Sequence, residues 1–186
     1  MRLMKDWNGK EVPFALSNGG VKLLSHPYDN LIKNGCSPWP SPEILQKLYH
    51  SRHVAKFNQS EKIICNSGIG YYCDLQSLNS EDAITWSVFG TASKASKEIQ
   101  IQWVKELFTL LSISEQYNEY VEIFLWRRIP HPDTLVPGGP EIDIGIITSN
   151  TVLFCEAKWK SKLSKNQGVL KNKNQIQLRE EFFTKF

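Results

Sequence analysis

Two consecutive strand-like segments, residues 141–148 and 151–158, constrain the fold of this chain more than any other feature. The Thr-Ser-Asn-Thr stretch at 148–151 suits a two-residue hairpin turn, because Asn tolerates positive φ. Pairing the segments through this turn places Asp143 directly across from Glu156. A shift of one residue would send every side chain to the other face, so the sequence specifies this register.

The predicted hairpin has one apolar face and one charged face. The apolar face holds Ile142, Ile144, Ile146, Leu153, Cys155 and Ala157. The charged face holds Glu141, Asp143, Glu156 and Lys158. Directly opposed carboxylates repel each other, and a divalent cation between them would remove that repulsion. Hard oxygen ligands suit Mg²⁺ or Mn²⁺, so the charged face is a candidate metal site.

The composition is that of a globular protein. The chain has 186 residues, of which 41% are hydrophobic and 22% charged, which argues against disorder, collagen and coiled coil. No apolar run reaches the roughly 18 residues that span a bilayer, and the N-terminus lacks an apolar signal core. We therefore expect a cytoplasmic protein with no membrane partner. The four cysteines form no CxxC pair, which argues against a zinc ribbon.

The rest of the chain predicts an N-terminal elaboration followed by a core of helices and strands. Residues 1–77 begin rich in Gly, Pro, Asn and Ser, and they predict irregular structure with short helices, one of them starting at Pro42. Ser80, followed by two acidic residues, predicts the start of a helix over 80–90. The remaining predicted elements are a helix over 96–111 with Ile99, Trp103, Leu107 and Leu110 on its apolar face, a strand over 121–128, and a helix from about 175 to 183.

A family resemblance is carried by two short motifs. Pro140-Glu141-Ile142-Asp143, then twelve intervening residues, then Glu156-Ala157-Lys158, resembles the PD-(D/E)XK signature of restriction-endonuclease-like nucleases. The resemblance covers about residues 78–183. It implies an α/β (α+β) fold, in which residues 78–186 form a central mixed sheet of three to four strands flanked by helices. The family usually has another strand after the last helix, so we expect this core to lack it or to receive it from elsewhere.

The resemblance also assigns roles. Asp143 and Glu156 would hold Mg²⁺, with Mn²⁺ as a substitute, and Lys158 would assist the attack of water on a phosphodiester. The implied protein is a metal-dependent endodeoxyribonuclease of restriction type. Further implied metal ligands are Glu81 on the first core helix and the backbone carbonyl of Ala157. Further implied site residues on the last helix are Gln175, Gln177 and Arg179.

DNA is the partner that the resemblance implies. Lysines that follow Lys158 would lie beside a bound phosphate backbone, and Arg128 stands at the start of the loop 129–140 that borders Asp143. The candidate nucleic-acid contacts are Lys160, Lys162, Lys165 and Arg128. Restriction-like nucleases often dimerise, so a homodimer is one expected state, although the sequence shows no self-complementary apolar stripe.

Each of these assignments has a plainer alternative. Alternating strands normally carry charges on their solvent face, so the hairpin charges are also compatible with an exposed sheet. Glu81 also suits a helix N-terminus, and the adjacent Asp82 competes for the inward position. The polar residues of 175–179 also suit a solvated helix face. The alternative functions are a non-catalytic nucleic-acid-binding or assembly domain that keeps the nuclease fold, and a structural repair subunit that works with a partner nuclease.

Overall fold

A computed structural model describes residues 2–17, 19–33, 35–50, 73–114, 120–130, 140–162 and 172–185. The chain divides into two units, Met1–Thr91 and Ala92–Phe186. Each unit combines helices with a three-stranded antiparallel sheet, which confirms the mixed α and β class. The division at residue 78, which rests on the family resemblance, stays a prediction. None of the described helices is both long and apolar enough to cross a membrane.

The first unit contains a sheet where the sequence predicted irregular structure. Its antiparallel strands lie in the order β1 (Arg2–Lys5), β2 (Glu11–Leu16) and β3 (Lys22–Leu24). The prediction was wrong because the strands are short and the glycines between them looked like general irregularity. Gly9 and Gly20 instead form the tight turns, with φ of +78° and +75°.

Buried side-chain amides attach this sheet to the segment that precedes the first core helix. The Asn30 amide donates hydrogen bonds to the carbonyls of Leu75 and Ser77, each at 2.8 Å. The Gln76 amide donates to the carbonyl of Leu24, also at 2.8 Å. Asn30 and Gln76 are almost fully buried, so these bonds satisfy groups that would otherwise be costly to remove from water.

Three helical segments follow one another after helix α1 (Pro42–His50) and a gap in the described residues. They are α2 (Glu81–Thr85), a π-helical turn (Trp86–Gly90) and α3 (Thr91–Ser93). The Ser80 hydroxyl accepts a hydrogen bond from the Ala83 backbone at 3.1 Å, which confirms the predicted start. Trp86 is fully buried in the π-helical turn, and its indole donates to the Ile32 carbonyl at 2.9 Å.

The second unit follows the predicted order of helix, three strands and helix. These elements are α4 (Lys97–Leu110), β4 (Val121–Arg128), β5 (Glu141–Thr148), β6 (Val152–Cys155) and α5 (Gln175–Lys185). The described sheet has the order β4-β5-β6 and is antiparallel throughout, whereas a mixed sheet was expected. The apolar face predicted for α4 was also wrong, because Val104 and Phe108 are buried while Ile99 and Leu110 are exposed.

The β5–β6 hairpin has the predicted register but a shorter second strand. Ile144 pairs with Cys155, and the Thr148 backbone donates to the Thr151 carbonyl at 2.9 Å to close the turn. Ile142, Ile144 and Ile146 are buried, as the apolar face requires. The strand ends at Cys155 and not at Lys158, so the pairing of Asp143 with Glu156 in the ladder was not a correct expectation.

An aromatic ring lies across the centre of this sheet. Phe124 is the register partner of Gly145, and a Cβ atom at Gly145 would overlap the Phe124 ring. Phe124 forms a buried cluster with Ile129 and Ile142, against which Phe182 of α5 packs. Because Gly145 has no side chain, the Phe124 ring can pack directly over its backbone. This contact between β4 and β5 lies two residues from Asp143.

Replacing Gly145 by Ala should destabilise the second unit. The added methyl group forces the Phe124 ring out of its place, and such overpacking costs about 1–3 kcal/mol in the free energy of unfolding. Urea unfolding of Gly145→Ala, Phe124→Ala and the double variant measures this cost. We expect Gly145→Ala to be much less harmful when Phe124 is already Ala. An equal cost in both backgrounds would contradict this account.

Candidate active site

The two strands of the hairpin separate after Cys155, and beyond that point a side-chain contact of Asp143 replaces strand pairing. The Ala157 backbone amide donates a hydrogen bond to Asp143 Oδ2 at 2.9 Å. A side-chain oxygen thus takes the role that a strand carbonyl would have in a continued ladder. Asp143 and the Glu156-Ala157-Lys158 motif therefore lie together, as predicted, but through this contact and not through strand pairing.

Glu156 lies at the centre of a cluster of donors. Lys158 Nζ lies 2.9 Å from Glu156 Oε1, and the Gln175 amide donates to the same oxygen. Arg179 approaches Glu156 Oε2 at 3.0 Å. The side chains of Glu156 and Arg179 are both only 13% exposed, so water screens this ion pair weakly. The carboxylate thus joins the loop after β6 to helix α5.

Arg179 makes further contacts that the sequence did not reveal. Its guanidinium donates to the backbone carbonyl of Glu141, at the start of β5, and to the carbonyl of Gln175 at 3.2 Å. One side chain of α5 thus fixes the position of both hairpin strands at their open end.

Gln177 bonds to Asn174 at the start of its own helix, whereas Gln175 and Arg179 contact Glu156. Its side-chain oxygen accepts from the Asn174 backbone, and the Asn174 side chain accepts from the Gln177 backbone, each at 2.9 Å. This reciprocal pair is a capping box at the start of α5. The structure therefore gives Gln177 a capping position, and a catalytic role for it stays a prediction.

The backbone of β4 is strained next to the site. The register pairs Leu125 with Ile144 and Arg127 with Ile142, which places Trp126 across from Asp143. Trp126 has φ of 54°, a left-handed conformation that is uncommon for a bulky side chain. Strained backbone of this kind concentrates at functional sites, but the sequence offers no signal for it.

A pocket of about 590 Å³ opens beside the Glu156 cluster. Its charged and polar lining includes Glu156, Lys158, Gln175 and Arg179, and Phe154 and Ile176 form an apolar part. Cys155 also lines the pocket, and burial raises the pKa of its thiol, which disfavours the thiolate that a nucleophilic cysteine needs. The sequence identified the charged and polar lining, whereas Phe154 and Ile176 were not predicted as part of a site.

The predicted DNA contacts lie around the same end of the sheet where they are described. Arg128 is exposed at the end of β4 and is the register partner of Glu141. Lys160 and Lys162 are exposed in the segment after Lys158. Lys165 lies outside the described residues.

Glu81 belongs to the first unit, whereas the other predicted site residues belong to the second. Glu81 and Asp82 open helix α2. Asp82 forms an ion pair with Lys47 at 3.1 Å, which gives it a structural contact within its own unit. A place for Glu81 in a metal site stays a prediction.

The donor chemistry of the site fits a hard cation in part. Asp143 and Glu156 supply carboxylate oxygens, and Mg²⁺ is commonly held by one or two carboxylates together with water and substrate phosphates. No cluster of three or more His, Cys, Asp or Glu side chains suited to a metal occurs within the described residues. A metal here would therefore complete its shell with the Ala157 carbonyl, water or phosphate, and Glu156 would have to exchange cationic partners for it.

No family model, curated protein or solved structure matches this chain. The resemblance to PD-(D/E)XK nucleases therefore rests on the residues of its two motifs and on where they lie.

Removing the Arg179 guanidinium should destabilise the second unit more than removing that of Arg127. Arg179→Met leaves Glu156 mostly buried without one charged donor, which should cost about 1–3 kcal/mol in the free energy of unfolding. Arg127 pairs with Glu122 at 2.7 Å, but their side chains are 52% and 36% exposed, so Arg127→Met should cost less than about 1 kcal/mol. Urea unfolding compares the two variants.

The effect of Arg127→Met on the free energy of unfolding should depend on pH. The hydrogen bond from Arg127 lowers the pKa of Glu122. A lowered carboxyl pKa stabilises the fold above the unfolded pKa, and this stabilisation is lost as pH falls through the folded value. The difference between wild type and Arg127→Met should therefore shrink in acid, where the contact of the guanidinium with the Phe124 ring still contributes. Equal effects of the two arginine variants at neutral pH would contradict the central position of Arg179.

Proposed function

We propose that this chain is a metal-dependent nuclease that hydrolyses DNA phosphodiester bonds, with a restriction-endonuclease-like core in its second half. The observation that carries the proposal is that Asp143 accepts a hydrogen bond from the backbone between Glu156 and Lys158, whose side chains line a pocket. These side chains come from β5 and from the segment after β6, and helix α5 adds Gln175 and Arg179. A carboxylate pair with an adjacent lysine is a combination suited to phosphodiester hydrolysis.

The residues have distinct tasks in this proposal. Asp143 and Glu156, with the Ala157 carbonyl, would hold Mg²⁺ or Mn²⁺. When bound, the metal lowers the pKa of a water and neutralises charge on the phosphate. Lys158 orients the attacking water or accepts its proton. Gln175 and Arg179 hold the Glu156 carboxylate in place, and Arg128, Lys160, Lys162 and Lys165 contact DNA phosphates.

One observation favours the alternative of a non-catalytic nucleic-acid-binding or assembly domain. Lys158 and Arg179 already balance the charge of Glu156, and Gln175 adds a third donor. The fold therefore does not need a metal to relieve carboxylate repulsion. A domain that had lost catalysis would keep this arrangement for its stability.

Cleavage of supercoiled plasmid tests the nuclease proposal. Asp143→Asn removes the carboxylate charge but keeps an oxygen that can accept from the Ala157 amide, so the hairpin end should stay intact. We expect wild type to nick or linearise the plasmid with Mg²⁺ or Mn²⁺. We expect Asp143→Asn to be at least about 100-fold slower, the scale on which losing one transition-state-stabilising group slows an enzyme.

Glu180→Gln is the matched control for this assay. Glu180 is exposed on helix α5, and the variant also exchanges one carboxylate for an amide. It should cleave as wild type does. Metal-dependent cleavage that is equally fast in Asp143→Asn would refute the assignment of the site.

Mn²⁺ binding separates the enzyme from the non-catalytic alternative. Titration of the whole chain with Mn²⁺, followed by electron paramagnetic resonance, should show a bound ion that Asp143→Asn loses and Glu180→Gln keeps. The reason is that Mn²⁺ prefers hard carboxylate oxygens and Asp143 supplies one of the two at the site. Absence of a bound ion in wild type would favour the non-catalytic domain.

A further inference from the structure

An exposed tryptophan follows directly after the site lysine. Trp159 is 59% exposed, although large aromatic side chains are usually mostly buried. Lys158 precedes it and Lys160 follows it, and Lys162 stands two residues further on. The stretch from Lys158 to Lys162 contains no acidic residue. An aromatic plane between cations is the combination with which proteins bind single-stranded nucleic acid, through base stacking and phosphate contacts.

The pocket beside Lys158 also combines cationic and apolar side chains. Lys158 lines it together with Arg179, and Phe154 and Ile176 provide apolar surface. Its volume of about 590 Å³ lies within the usual range for small-molecule sites, so it admits a nucleotide but not a duplex. Trp159 and the apolar part of the pocket thus offer contact to a base, and Lys158 and Lys160 offer contact to a phosphate.

Base contacts of this kind require an unpaired nucleotide. Within a duplex both faces of each base are covered by the stack, and a side chain reaches a face only at an end, in a single strand or at a flipped nucleotide. Lysines alone would bind any nucleic-acid backbone without this requirement. The exposed tryptophan is therefore the feature that distinguishes a single-strand site from a general basic surface.

We propose that Trp159 is a base-stacking residue and that the site takes single-stranded DNA, with an unpaired base against Trp159 and its phosphates beside Lys158 and Lys160. This inference rests on the proposed function for the reaction that follows binding. The binding itself does not depend on cleavage. Trp159 is a specificity-determining residue in this proposal and takes no part in the bond-breaking step.

Binding of fluorescein-labelled oligodeoxythymidine, compared with a labelled duplex of equal length, tests the proposal in EDTA at fixed salt. Wild type should bind the single strand more tightly than the duplex. Trp159→Ala should raise the Kd for the single strand roughly 5-fold to 100-fold, the range measured for losing one base–aromatic stack. Trp159→Phe should retain much of the affinity because it keeps an aromatic plane.

Trp7→Ala is the matched control. Trp7 is also 59% exposed, lies in the first unit and has Lys5 and Lys10 near it in sequence. It should bind the single strand as wild type does. The series is repeated with Mg²⁺ in the Asp143→Asn background, which removes one carboxylate charge and slows cleavage of the probe, and the order of affinities should be the same.

Two results would overturn the proposal: no preference of wild type for the single strand in either condition, or unchanged affinity in a folded Trp159→Ala. Circular dichroism establishes that the variants are folded, and Trp159→Leu, which keeps an apolar side chain but has no aromatic plane, replaces Trp159→Ala if the alanine protein is not. Single-strand binding that depends on Trp159 in a protein that cleaves no plasmid would uphold this inference while the nuclease proposal fails. Metal-dependent cleavage with unchanged binding in Trp159→Ala would uphold the nuclease proposal while this inference fails.

Discussion

The ion pair between Arg179 and Glu156 is the interaction on which the candidate site depends. Through it, helix α5 holds the segment that leaves β6, and the same guanidinium reaches the carbonyl at the start of β5. Three segments distant in sequence are thus fixed by one mostly buried contact. Burial makes the loss of either partner costly, because the remaining charge would stay mostly buried without its counter-charge.

This arrangement has a consequence for chemistry. A carboxylate that binds a metal must exchange its cationic partners, and here those partners are Lys158 and Arg179. Cations released from Glu156 would be close to any phosphate that enters the pocket. In the nuclease proposal the positive charges that balance Glu156 therefore become available to the substrate phosphate. In the non-catalytic alternative they stay where they are.

The sequence predicted the second unit better than the first. The hairpin register followed from alternation, because only one pairing places Ile142, Ile144 and Ile146 together on the buried face. The N-terminal sheet was missed because its strands span only three to six residues, too few for a period to be visible beside so many turn residues. The face of α4 was misjudged because exposed Ile99 and Leu110 fit a helical period as well as buried Val104 and Phe108 do.

The sequence by itself determined the mixed α and β class, the order of elements in the second half, and the hairpin that brings the two motifs together. These depend on local propensity and on periodicity, which short windows contain. Only the tertiary structure decided that β6 ends at Cys155, that Gln175 reaches Glu156, and that Trp126 adopts a left-handed backbone. Each of these depends on a contact between residues far apart in sequence or on competition between neighbouring side chains for the same partner, and no local pattern encodes the outcome.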